Sequence, residues 1–324
     1  MTRHHHVPDE LASRPFLGAV AVRHGLLTPN QLRGPTWKRL LRGVYVRAGR
    51  ESDPRVRAEA LRLAMRGQDV VCGLTAAWLH GVWTPPPNSV LPLEITRPER
   101  AHGQQPAGLR RRRLVLLDER GGGPLEVVTV HGCRVTTPLR TCFDLMRERS
   151  LVEAVVVADA FVHAQLVSLT SLTNYCGRRR RWPNVRRARA AADLAHADAR
   201  SPGESRLRMV VVLAGYDQPL VNVPVHTPQG AHLGTPDLTL TGRRWVHLEY
   251  DGAYHDEVAQ HGRDLRRQNG LQREGGVPLL RYDWRHVLRE RHVVLRDLAA
   301  VRREEPRFEL DDRDFMRHQG ARRW

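Results

Sequence analysis

The spacing of apolar and polar positions divides the chain into three textures. In the first, Leu17, Val20, Ala21 and His24 recur at helical spacing, and Gly25 ends the run. Thr28 followed by Pro29 predicts an N-cap and first turn for a second helix through Leu32. Trp37-Lys38-Arg39-Leu40-Leu41-Arg42 predicts a third, strongly basic helix, and Gly43 to Arg47 alternates like a strand. This is the order of a winged helix-turn-helix, with the basic third helix in the recognition position. The second texture starts helical over 54–83 and is broken at Pro85-Pro86-Pro87. It continues with short strands around Leu91–Thr96, Leu114–Leu117 and Val127–Val130, then helical patterning over Pro138–Ala164 and Ala188–Asp198. Two arginine runs punctuate it. Arg110–Arg113 starts the second of those strands, and Arg178–Arg181 reads as a connection.

The third texture begins after Ser201-Pro202-Gly203. A helix opens there with Glu204, Leu207, Arg208 and Val211 on one face; Glu204 fits a capping box as well as it fits a chemical role. A strand at Leu220–His226 follows. Asp237–Thr241 and Trp245–Asp251 then alternate with period two around Gly242-Arg243-Arg244, which predicts a hairpin. A three-residue loop centred on Arg243 pairs Thr241 with Trp245, Thr239 with His247, and Asp237 with Glu249. Leu238, Leu240, Val246, Leu248 and Tyr250 then face a core, while Asp237, Glu249 and Asp251 share the other face. Carboxylates placed opposite each other, at about 4.5–5.5 Å between Cβ atoms, destabilise a sheet unless something cationic sits between them. A divalent ion such as Mg²⁺ or Mn²⁺, which keeps waters and phosphate oxygens, suits two such carboxylates; arginines on a solvated face are the competing partner. His255 follows within reach as a candidate for proton transfer. A helix over Val258–Arg273 carries Asp264 and Arg267, and Val277–Tyr282 reads as a strand containing Arg281. The fold class expected is multidomain α/β. Its parts are a winged helix-turn-helix at 1–52, an α/β middle segment at 53–200, a mixed sheet flanked by helices at 201–303, and a tail at 304–324.

Charge narrows the partners. Lys+Arg 52 against Asp+Glu 35 gives +17 with histidine neutral, a field that attracts polyanions, nucleic acid first among them. The arginines dominate so fully that Lys38 is the one lysine. Lys38, Arg39, Arg42, Arg267 and Arg281 are the candidate nucleic-acid contacts. Four scattered cysteines make no metal or disulfide pattern. No segment reads as a signal peptide or a membrane span, so the expectation is a cytoplasmic protein without a membrane partner.

Two resemblances follow from these motifs. Pro236-Asp237, Glu249-Tyr250-Asp251-Gly252-x-x-His255, Asp264-x-x-Arg267 and Leu280-Arg281-Tyr282 make residues 201–290 similar to the PD-(D/E)XK nucleases, in the branch of very-short-patch repair endonucleases. That resemblance implies Mg²⁺ held by Asp237, Glu249 and Glu204, with Asp251 and His255 also catalytic. It departs at Asp251, which stands where the superfamily has a lysine. Gly25-Leu26-Leu27-Thr28-x-x-Gln31-Leu32, Trp37-x-x-Leu40-Leu41-Arg42-Gly43-Val44-Tyr45, Thr75–Gly81 and Thr137-Pro138-x-Arg140-Thr141 resemble antitoxins of abortive-infection, type IV toxin–antitoxin systems over about 12–165. That resemblance implies DNA binding and a cognate toxin. The leading expectation is thus a metal-dependent DNA endonuclease serving repair or defence against foreign DNA. Its alternative is an antitoxin-like transcriptional regulator that binds DNA without turnover. The sequence is silent on oligomeric state.

Overall fold

The computed structural model describes residues 8–41, 43–51, 53–65, 69–83, 93–96, 109–116, 126–252 and 276–316. His255, Asp264, Arg267 and Arg42, with the helix expected over 258–273, lie outside the described residues. Mixed helix and sheet throughout match the expected α/β class. The chain forms two compact units, Met1–Asp144 and Leu145–Trp324, and the expected boundary at 200 falls inside the second.

The first unit opens with α1 (Asp9–Ala12), β1 (Phe16–Leu17), α2 (Gly18–Arg23), α3 (Pro29–Leu32), β2 (Trp37–Leu41) and β3 (Val44–Arg47). The three strands form one antiparallel sheet in the order β1-β3-β2, which is the winged helix-turn-helix arrangement. One element differs from expectation: residues 37–41 are a strand of the wing, and no basic third helix exists there. Leucines at 40 and 41 after Trp37 fit either period. Gly43, at φ +78°, turns the chain back so that Val44 and Val46, both fully buried, pair it into a sheet. The helix in the recognition position is therefore α3, a single turn capped by Thr28, whose hydroxyl and the Gln31 side chain close a capping box. Phe16 and Trp37 meet edge to face at 5.0 Å in a small core with Leu11, Ala21 and Leu27.

The rest of this unit comprises α4 (Pro54–Ala64), β4 (Val70–Val71), α5 (Gly73–Leu79), β5 (Leu93–Thr96), β6 (Leu109–Arg112), β7 (Val127–Val130), β8 (Cys133–Thr136) and α6 (Pro138–Arg147), the last continuing into the second unit. The strands form a mixed sheet, β6-β5-β4-β8-β7. The expected strand at 114–117 lies earlier, at Leu109–Arg112, and takes Arg110, Arg111 and Arg112 of the run into it. Parallel pairing sets Glu94 beside Arg110 and Thr96 beside Arg112, and both arginines pair with the buried Glu94 carboxylate at 3.4 and 3.8 Å. Arg110 and Arg112 are thus held at the sheet by one acid. Arg140 is completely buried, bonded to Asp144 at 2.7 Å, to Glu126, and to the Val115 carbonyl at 2.8 Å.

The second unit begins with α7 (Leu151–His163), α8 (Leu169–Arg178), α9 (Val185–Leu194) and α10 (Pro202–Leu213). Short strands β9 (Leu220–Val221), β10 (Val225–His226) and β11 (His232–Gly234) lead to β12 (Leu238–Leu240), β13 (Val246–Tyr250) and β14 (Leu279–Tyr282). It closes with α11 (Trp284–Leu288), α12 (Arg291–Arg302) and α13 (Asp312–Phe315). The expected strand at 220–226 is two, β9 and β10, in different sheets. The main sheet is mixed, β14-β13-β12-β9, with only β13 and β14 parallel. Residues 203–211 of α10 are all buried, so two of its arginines need partners. Arg206 forks onto Glu153 at 2.6 and 2.9 Å, and Arg208 reaches Asp159 at 2.9 Å, both acids on α7. These pairs join α7 to the helix that opens the third sequence texture. Against the sheet, α10 approaches through Gly203, where any Cβ would overlap the Tyr250 ring. Gly203→Ala is expected to cost about 1–3 kcal/mol by overpacking, visible as a lower unfolding midpoint in urea.

Candidate functional site

The hairpin register sits where the alternation put it. Leu238 pairs with Leu248, Thr239 with His247 and Leu240 with Val246, which sets Asp237 opposite Glu249 at the next step. What the alternation did not disclose is that the polar face is also covered: Thr239, His247 and Glu249 are as buried as the leucines behind them. An alternating strand beside solvent and one covered on both sides read alike when the second face carries polar groups paired to each other.

That pairing is specific. Glu249 accepts both Nε and Nη2 of Arg281, at 3.0 and 2.8 Å, from the neighbouring parallel strand where the two residues stand side by side. The same guanidinium lies 3.7 Å from Asp251, which is mostly exposed. Asp237 accepts the Tyr250 backbone N–H at 2.8 Å. Glu204 accepts the Arg200 N–H at 3.0 Å and Asn222 Nδ2 at 2.8 Å, while its own N–H donates to Ser201 Oγ. Asn222 also donates its backbone N–H to the Asp237 carbonyl, so it bridges Glu204 to the Asp237 end of the sheet. Asn222 and His247 belong to this centre and were not singled out from sequence. His247 shares Glu249's face in the period-two pattern, which is the signal that could have found it. Its Nδ1 meets Thr239 Oγ1 at 2.8 Å. Burial holds its pKa below the usual histidine range, against the opposing pull of Glu249.

The Mg²⁺ implied by the nuclease resemblance meets a centre already engaged. Each of Asp237, Glu249 and Glu204 accepts hydrogen bonds from protein groups, and Glu249 is ion-paired to arginine. Among the described residues no three of His, Cys, Asp and Glu stand where they could hold one metal ion. The described donor set does not make a three-acid site.

The basic candidates lie elsewhere. Lys38 and Arg39 are exposed on β2, and Arg23, Arg33 and Arg47 are exposed on the neighbouring elements of the same winged helix. Lys38 reaches Glu51 at 3.8 Å with half its side chain still exposed. Arg281, expected as a nucleic-acid contact, has its guanidinium on Glu249. The four cysteines are buried and carry free thiols. No helix among the described residues is long and apolar enough to cross a membrane.

Residues 69–196 match the family model of the AbiEi antitoxin C-terminal domain. The antitoxin-like part therefore has independent support, over a segment that starts later and ends later than the motifs suggested, and it includes α5 through α9. Among curated proteins, the chain is 27% identical to two uncharacterized proteins of Mycobacterium tuberculosis, MT2308 and Rv2248, over 240 residues, covering 72% of this chain and 80% of theirs. No solved structure matches.

Proposed function

We propose that this protein is a DNA-binding regulator of the antitoxin kind, which contacts duplex DNA through its N-terminal winged helix. The observation that carries the reading is the order of parts: a helix-turn-helix with a three-stranded wing, followed by the segment similar to the AbiEi antitoxin C-terminal domain. The α3 turn would enter a groove and the wing lysine and arginine would hold phosphates, the division between positioning and reading that such modules use. A net charge of +17 makes the association steeply salt-dependent. A cognate toxin is the second partner this reading implies, and the cytoplasm its location. The test is fluorescence anisotropy of labelled duplex across a salt series. Lys38→Ala with Arg39→Ala is expected to reduce the magnitude of the log K against log salt slope by about 1.8, at about 0.9 per lost phosphate contact. An unchanged slope would remove the wing from the interface.

A second reading, Mg²⁺- or Mn²⁺-dependent DNA cleavage in repair or defence, draws support from one observation, the register that opposes Asp237 to Glu249. It requires Glu249 to exchange Arg281 for the ion, with Glu204, Asp251 and His255 assisting.

A further inference from the structure

The connection between α8 and α9 has a composition that its structural duties do not explain. From Leu169 to Ala192 the chain carries seven arginines and no acid. Three of them do structural work. Arg179 lies over the Tyr175 ring, Arg187 donates to the Arg149 carbonyl at 2.9 Å, and Arg189 donates to the carbonyls of Cys176 and Gly177 at 3.2 Å. The other four, Arg178, Arg180, Arg181 and Arg186, are exposed and make no ion pair or hydrogen bond among the described residues. Helix electrostatics do not account for them as a set. Arg178 suits the C-terminal end of α8, but Arg186 stands with Arg187 in the first turn of α9, where no acid is present and a positive charge is unfavourable. The segment is also held rigidly. Trp182 sits with the Arg147 and Arg179 guanidiniums at 5.1 and 5.6 Å, and Arg147 donates to the Pro183 carbonyl at 2.9 Å. Four like charges crowded on a fixed connection repel one another, and a polyanion relieves that repulsion with little ordering cost.

We infer that the α8–α9 connection is a second phosphate-backbone contact for duplex DNA, made by Arg178, Arg180, Arg181 and Arg186. The ligand is a duplex backbone and not a stacked single strand, because the one aromatic ring of the connection is already taken by two guanidiniums and offers no free stacking platform. Arginine recognises phosphate oxygens through its fork, so the contact adds affinity and register without reading bases. The inference rests on the DNA-binding reading above and extends it to the second compact unit.

The experiment uses the full chain in the same salt-dependent anisotropy assay. With all four arginines changed to glutamine, the slope magnitude is expected to fall by about 3.6, at about 0.9 per phosphate contact. The matching arginine-to-lysine variant should keep the wild-type slope. If the fourfold glutamine variant does not fold, Arg181→Gln with Arg186→Gln should lower the slope by about 1.8 on the same basis. A folded glutamine variant with the wild-type slope overturns the inference while leaving the winged-helix reading intact. Loss of binding to an acidic polypeptide with an unchanged DNA slope overturns it in favour of a protein partner. Absence of duplex binding by the wild type sinks the DNA-binding reading itself, and this inference with it.

Discussion

Changing Arg208 to alanine is expected to destabilise the second unit by about 3–5 kcal/mol, the usual cost of removing one partner of a buried ion pair. Arg208 and Asp159 are both about 1% exposed in their side chains and meet at 2.9 Å. The guanidinium also donates to the Leu194 carbonyl at 2.8 Å, and Asp159 accepts the His196 N–H at 2.7 Å. One residue therefore ties α7, α10 and the end of α9 together. Without it, Asp159 stays buried with the His196 backbone N–H and the Ser205 hydroxyl as donors but no opposite charge from Arg208. Burial already raises its pKa even with Arg208 beside it. In the variant it would take up a proton more readily, so part of the loss should be recovered as pH falls towards the carboxylate range. Urea unfolding followed by tryptophan fluorescence measures the change, and a difference below about 1 kcal/mol would place the pair among ion pairs that merely break even.

Arg140→Ala carries the second large effect, again about 3–5 kcal/mol, in the first unit. Arg140 has no solvent exposure and serves two acids, Asp144 one helical turn away and Glu126 from the segment before β7. Its removal takes one guanidinium from two carboxylates, each about 2% exposed. The better test is a comparison. Arg140→Met fills the volume and should be nearly as damaging as alanine, whereas Arg140→Met with Glu126→Gln and Asp144→Asn should recover much of the loss. Equal stability of the methionine single and triple variants would show that volume, not charge, governs the site.

How far the sequence could lead depended on whether a feature is local. The hairpin around Arg243 is local, and its register followed from loop length and alternation alone. The helix-turn-helix order was likewise legible, through Thr28, Pro29 and Gly25. Residues 37–41 fit a helix as well as a strand because Trp37, Leu40 and Leu41 satisfy both periods, and the deciding contacts come from Phe16 and Tyr45 on other strands. The burial of Glu249 and its capture by Arg281 depend on a parallel neighbour thirty residues downstream, which no local pattern reports. The same holds for Glu204: the sequence fits a capping box, but its carboxylate accepts from Arg200 N–H and Asn222 Nδ2, a partner that no local pattern reports. The arginine run at 178–181 is legible in part. It reads as a connection and lies at the α8–α9 connection, but charge without geometry does not reveal which of its arginines are occupied.

The claim that this chain holds DNA without cutting it is tested most directly by incubating the full protein with end-labelled duplex and 5′-labelled single strand in Mg²⁺ and in Mn²⁺, and resolving each sample on native and denaturing gels. The account predicts a retarded duplex on the native gel and full-length strands on the denaturing gel, the same for wild type and Asp237→Ala. Shortened strands with the wild type that disappear with Asp237→Ala would contradict it and return the acidic centre of β12 and β13 to catalysis.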